Sequence, residues 1–305
     1  MRHLHVVGKA SAVVLAVGLV AAALTGCTTD PTQNCSGALP TGSEVGMVTA
    51  SGALGSRPHV SVPTPVLTST SQREVLKLGS GSTVHPGTSI EFTYTAINGQ
   101  TGAVAGRSTS EQWLPITDNA ISKGLECVPA GSRVAIVLSP SDAQTGAAVS
   151  GVYVIDVLKV FPSRATGAVR PSRSGFPTVI LAPNGQPGIS INPNDVPPTR
   201  VHAEILKAGS GETVEATDQV VLQYTAVGWE SKAVLTSTWT SGSADLADVS
   251  SGQSVLQNQQ NTTLPTDLMR QLVGRRVGSQ LLVEVPPSQG TTAAAWVVDI
   301  LGVRR

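Results

Sequence analysis

Residues 75–84 read VLKLGSGSTV and residues 205–214 read ILKAGSGETV, and this pair decides how the chain is organised. The first glycines, Gly79 and Gly209, lie 130 positions apart. The match runs into the next strand, where Ile90, Phe92 and Tyr94-Thr95 correspond to Val220, Leu222 and Tyr224-Thr225. Apolar residues alternate there as a half-buried strand requires. Further on, GSRVAIVLSP (131–140) corresponds to GSQLLVEVPP (278–287), and YVIDVL (153–158) to WVVDIL (296–301). The larger offsets place extra residues between the early and late strands of the second copy. One domain present twice explains this order better than chance alternation.

The repeat also reaches upstream, since PHVSV (58–62) resembles PGISI (187–191). Residues 161–200 hold 8 of the 20 prolines, a composition that reads as a stiff connector. Because PGISI lies inside this stretch, the expected boundaries are a tether at 27–44, a first domain at 45–160, a linker at 161–174 and a second domain at 175–305. Helical signal is scarce. Thr266 is placed to cap a short helix through Val273, with Leu268 and Leu272 on one face and Gly274 ending it. In the first copy, Asp118 precedes Ala120, Ile121 and Leu125 in the same way. The expected fold class is α+β, an antiparallel sheet wrapped on one short helix in each copy.

At the other end of the chain, Arg2 and Lys9 precede an apolar run from Ala10 to Ala23, closed by Leu24-Thr25-Gly26 and Cys27. The run is too short for a stable membrane span. It reads as a lipoprotein signal peptide, residues 1–26, whose removal leaves Cys27 as a lipidated N-terminus. The alternative is an ordinary secretory signal cut near Ala23. Either way the mature chain is extracytoplasmic, and the lipobox adds anchoring to the outer face of the cell membrane. Such an address lets Cys35 and Cys127 stay oxidised, so a disulfide from the tether to the first domain is expected, against the alternative of two free thiols.

Composition removes several function classes. The chain has 20 basic and 20 acidic residues, and losing Arg2 and Lys9 leaves the mature form slightly acidic. No electrostatic case exists for nucleic-acid binding. His59, His85 and His202 lack metal-ligand spacing, and no G-x-S-x-G, phosphate-cradling loop or C-x-x-C is present. No cofactor is expected, and the chain is expected to be a monomer.

The Gly-x-Gly turn, the strand ending Tyr-Thr, the short helix, LVGRRVGSQLLVEVPP (272–287) and WVVDILGV (296–303) occur in an order that resembles the FKBP family of peptidyl-prolyl cis-trans isomerases. Two copies behind a lipobox resemble the tandem FKBP-type lipoproteins of Gram-positive actinobacteria. The resemblance implies catalysis of rotation about Xaa-Pro bonds, whose barrier of about 18–20 kcal/mol comes from the planar amide. A dry apolar pocket that favours the twisted amide lowers that barrier without nucleophile or metal.

Carried onto the second copy, the family's pocket implies Tyr224, Leu235, Leu264, Leu268 and Trp296 as the catalytic lining. Thr236 falls where the family has an aspartate, and Gln289-Gly290 where it has a loop tyrosine. The first copy keeps Tyr94 and Tyr153 but has Ala105-Gly106 in place of Phe-Asp, so it reads as structural or as a peptide-contact surface. Proline-containing or unfolded exported polypeptides are the implied partners. A non-catalytic FKBP-like chaperone or peptide-binding lipoprotein is the alternative. A β-sandwich adhesion module fits the composition but not the capped helix.

Overall fold

The computed structural model describes residues 35–143, 150–254, 263–288 and 290–305. Residues 1–26, expected to be a signal peptide, Cys27, the site expected to be lipidated, and Gln289 lie outside the described residues. In chain order the first half gives α1 (Ser43–Gly46), β1 (Thr49–Ser51), β2 (His59–Ser61), β3 (Gln72–Lys77) and β4 (Ser89–Asn98). There follow β5 (Val104–Arg107), β6 (Gln112–Pro115), α2 (Ala120–Leu125), β7 (Arg133–Leu138), α3 (Pro140–Ala143) and β8 (Gly151–Phe161). The second half opens with β9 (Ala168–Val169), β10 (Thr178–Leu181), β11 (Pro187–Ser190), β12 (His202–Ala208) and β13 (Gln219–Gly228). It closes with β14 (Val234–Ser237), α4 (Thr238–Ser241), β15 (Asp245–Asp248), α5 (Thr266–Leu272), β16 (Gln280–Val285) and β17 (Ala294–Arg304). The described structure is mostly antiparallel sheet with few, short helices.

Two large sheets have the same strand order. The first runs β3-β7-β8-β4-β5, with β6 also on β4; the second runs β12-β16-β17-β13-β14, with β15 also on β13. Their irregularities match as well. Register slips at Val75/Lys77, Glu91/Phe92 and Ala96/Ile97 recur at Ile205/Lys207, Val221/Leu222 and Ala226/Val227. Each slip increases local twist and helps curl the sheet over its helix. The two Gly-Ser-Gly segments follow the edge strands, where a Cβ on Gly79 or Gly209 would lie 2.2 Å from a backbone oxygen, of Ala130 or Val277. Close backbone approach, not a left-handed turn, explains these glycines.

Each sheet is covered on both faces. On one face α2 brings Leu125 over Ile136 and Ile155, and α5 brings Leu268 and Leu272 over Leu281, all buried. Burying each such side chain contributes roughly 1.5–3 kcal/mol. On the other face the hairpins β1–β2 and β10–β11 bring Val60 against Val137 and Val154, and Val179 and Ile189 against Leu282 and Val297. A fifth cluster joins the sheets: Phe161 with Val221, Leu246 and Leu301, and Trp113 against them.

Local details differ from the sequence-based expectations in instructive ways. Thr266 is the first helical residue of α5 and makes no capping bond, the cap position being Pro265. In α2 the cap is Asn119, whose side chain accepts from the Ser122 amide, while Asp118 pairs with Lys123. The 161–174 stretch is not a free connector. Phe161 ends β8, and β9 pairs with β12 in the second sheet. Cys35 and Cys127 are disulfide-bonded, with Cα atoms 5.8 Å apart, which ties the segment before α1 to the end of α2.

Candidate functional site

The alternation of β13 puts Val220, Leu222, Tyr224 and Ala226 into the core beneath α5. Across the ladder Ala226 faces Trp296 and Tyr224 faces Val298, so Tyr224 and Trp296 are diagonal neighbours on one face. Their ring centroids lie 5.7 Å apart at 54°, a tilted pairing favourable for two aromatic quadrupoles. From the helix side Leu268 closes the cluster, and Leu264, held by a 2.8 Å bond from its amide to the Gly252 carbonyl, completes it. Four of the five implied pocket residues therefore meet. Tyr224 is 3% exposed, Trp296 7%, and Leu264 and Leu268 are fully buried.

Leu235 stands apart from this cluster. It is 51% exposed and sits over Gly228, where the β13–β14 ladder slips. The carboxylate also needs correcting. Thr236 carries none, but an acid reaches the site from another strand. After α4, Gly242 takes a left-handed conformation (φ 71°), and the chain returns as β15 alongside β13. Asp245 on β15 is 2% exposed and accepts a 3.0 Å bond from the Tyr224 hydroxyl and a 2.6 Å bond from Ser254. The signal for it was available in SADLAD (243–248), where Asp245 and Ala247 alternate with Ala244 and Leu246, putting one acid on a buried face.

Burial raises the Asp245 carboxyl above its ordinary value, and the bonds from Ser254 and Tyr224 pull it partly back. Burial, then the charge of Asp245, holds the Tyr224 phenol far above 10.0, so it stays protonated throughout the neutral range. The arrangement offers dry apolar walls, an aromatic pair and one oriented hydroxyl. Among the described residues no three His, Cys, Asp or Glu side chains gather as metal ligands.

The corresponding place in the first sheet is plainer. Tyr94 packs near Phe92, centroids 6.2 Å apart, and both Tyr94 and Tyr153 are only partly buried. Gln112 holds the register position of Asp245, opposite Phe92 as Asp245 is opposite Leu222. Its amide donates to the Ser110 carbonyl at 3.1 Å, and among the described residues no carboxylate bonds the Tyr94 hydroxyl. Of the tryptophans flanking the second copy's early loop, Trp229 is buried and donates from Nε1 to the Asp195 carbonyl, so it wedges its own domain.

No protein-family profile matches the chain, and no curated protein matches it. Among solved structures, it is similar to the three FKBP domains of wheat FKBP73, at 13% identity and a TM-score of 0.32, over 77% of this chain and 94% of that one. A peptidyl-prolyl cis-trans isomerase from Pseudomonas syringae pv. tomato matches at 19% identity and a TM-score of 0.26, over 30% of this chain and 74% of that one. FkpA from Escherichia coli matches at 14% identity and 0.27, over 41% and 51%.

Proposed function

We propose that the protein is an FKBP-type peptidyl-prolyl cis-trans isomerase, built from two FKBP-like copies, with turnover confined to the second. The observation that carries this reading is the buried Tyr224–Trp296 pair with its hydroxyl fixed by Asp245, at positions that the sequence resemblance implies for an isomerase pocket. In this reading Trp296 is the floor, Leu264 and Leu268 are the walls, and Tyr224 is a wall with a polar tip. Lipidation at Cys27 holds the protein on the outer membrane face, where it acts on proline-containing exported chains as they fold. The disulfide fastens the lipidated end to the first copy, which serves as spacer.

A second reading, a non-catalytic polypeptide-binding module, is favoured by one observation. The cluster is almost entirely solvent-excluded, and Leu235 is outside it. An assay of Xaa-Pro tetrapeptide isomerisation with the mature chain separates the two. Acceleration at micromolar protein supports turnover. An unchanged rate, together with suppression of aggregation of an unfolded protein, supports binding alone.

A further inference from the structure

A cavity of about 580 Å³ opens beside α2. Gly37 of the disulfide-tied segment forms one side, Ser122 and Glu126 another, and Gly242, just past α4, reaches it from the second copy. Tyr94, Tyr153, Tyr224 and Trp296 do not line it, so it is separate from the candidate isomerase site and from that site's counterpart in the first sheet.

Glu126 sets the chemistry of this cavity. The residue is 6% exposed, yet its carboxylate makes no hydrogen bond and no ion pair among the described residues. Glu204 Oε2 is sealed in the protein without a partner, whereas the Glu126 oxygens are not sealed and open onto the cavity. The two cations that feel the Glu126 charge are engaged elsewhere. Lys123 pairs with Asp118 at 2.7 Å, and Arg73 Nη1 donates to the backbone carbonyls of Gly124, at 3.3 Å, and of Glu126.

The fold does not require this acid. Glu126 follows α2 with φ −57° and ψ 135°, and Val273 follows α5 with φ −61° and ψ 132°. At that matching position Val273 is uncharged and 41% exposed. A helix C-terminus favours cations, so a buried carboxylate there is costly until a cation pairs with it. Glycine keeps the room for one, since a Cβ on Gly37 would lie 2.6 Å from Glu126 Oε2. The segment carrying Gly37 is pinned on both sides, by the Cys35–Cys127 bond and by the Leu39 amide, which donates to the Lys123 carbonyl at 3.2 Å.

A divalent metal fits this donor set poorly, because it needs several oxygen ligands. Asp118 is taken by Lys123, and no three His, Cys, Asp or Glu side chains gather among the described residues. One open carboxylate suffices for an ammonium, and a guanidinium can use both of its oxygens.

We propose that this cavity binds an organic cation, whose guanidinium or ammonium group pairs with Glu126 while its carbon chain lies against Pro86 and Ile116. Two sources present that chemistry, a free small molecule and an arginine or lysine side chain of another polypeptide. The site is independent of the isomerase reading and asks nothing of Tyr224.

The test titrates the mature chain without its lipid with n-butylguanidinium, n-butylammonium and n-butanol, following backbone amides by nitrogen-15 NMR. Both cations are expected to bind with a dissociation constant of about a millimolar and to move the Gly37 and Glu126 signals, while butanol does not. Glu126→Gln keeps the size, removes the charge and is expected to weaken binding about tenfold or more, the value of one charge-assisted hydrogen bond. Because it breaks no contact, its melting temperature without ligand is expected to be no lower than the parent's.

A capped Gly-Arg-Gly peptide separates the two sources. Binding no tighter than that of butylguanidinium marks a small-molecule ligand, and binding about tenfold tighter or more marks a polypeptide side chain. Unmoved Gly37 and Glu126 signals, equal binding of butanol, or undiminished binding by Glu126→Gln overturns the proposal. So does a fall in the variant's melting temperature of about 4 °C or more, which makes the carboxylate a structural partner of Arg73.

Discussion

In the first sheet the buried Asp156 meets a guanidinium, whereas in the second its counterpart Asp299 meets an amide. Asp156 accepts from Arg133 at 2.6 and 2.7 Å and from the Gly55 amide at 2.7 Å, and Arg133 also reaches the Gly52 and Ala53 carbonyls. Asp299 accepts from Gln280 and from the Ala165 amide, each at 2.7 Å. Both carboxylates catch the backbone leading into the segment that covers or extends the sheet. Only the first is paired directly with a guanidinium, whereas Lys207 and Arg164 act on Asp299 without an ion-pair contact. Burial raises the Asp299 carboxyl, against the pull of its hydrogen bonds from Ala165 and Gln280 and of the Lys207 and Arg164 charges. One strand order can thus be locked by a direct ion pair or by uncharged hydrogen-bond donors, and the second sheet uses the uncharged donors while holding another buried acid, Asp245, for Tyr224.

Breaking the features that belong to one sheet only should show the difference. Cys35→Ser removes a cross-link of sequence separation 92, present only in the first copy. In the chain-entropy view this costs about 4.5 kcal/mol, measured by urea unfolding with and without reductant. Arg133→Met leaves Asp156 buried and uncompensated and is expected to cost about 3–4 kcal/mol. Gln280→Met, which strips only a neutral donor from Asp299, should cost about 1–3 kcal/mol in the same titration. Equal losses would remove the distinction between the two locks.

The tyrosines allow a finer comparison. Tyr224→Phe takes a donor from buried Asp245 and should cost about 1–2 kcal/mol, while Tyr94→Phe, whose hydroxyl makes no hydrogen bond among the described residues, should cost a few tenths. The smallest expected effect is a pH slope. Because the folded Asp299 carboxyl lies above its ordinary value of 3.8, its contribution to stability is complete below that value and is lost as pH rises through the folded value. Asp299→Asn removes that loss, so the variant should gain on the parent as pH rises from about 4. A constant difference between them across pH would contradict the assignment.

The repeat itself was legible, since GSG, Tyr-Thr and the two late strands carry alternation and spacing that survive in any one sequence. Local register shows why the rest was hidden. Asp245 reaches Tyr224 only because α4 and Gly242 fold the chain back onto β13, and no linear match to the Thr236 segment could place it. Leu235 is implied as pocket lining because it falls at the family's Phe position, but a one-residue slip between Ala226 and Val227 moves it to the margin. The β9 strand, two residues long inside a proline-rich stretch, has no periodicity to read. The apolar contact between the sheets depends on Phe161, Trp113 and Leu246, which lie far apart in sequence and on different elements.

The central claim is that the second sheet carries the isomerase site and the first does not. It is tested most directly by tetrapeptide isomerisation with the parent, Trp296→Phe and Tyr94→Phe chains at micromolar concentration. Acceleration by the parent is expected, with a loss of about tenfold or more in kcat/KM for Trp296→Phe and no change for Tyr94→Phe. An unaccelerated reaction with the parent, or equal losses in the two variants, would contradict it.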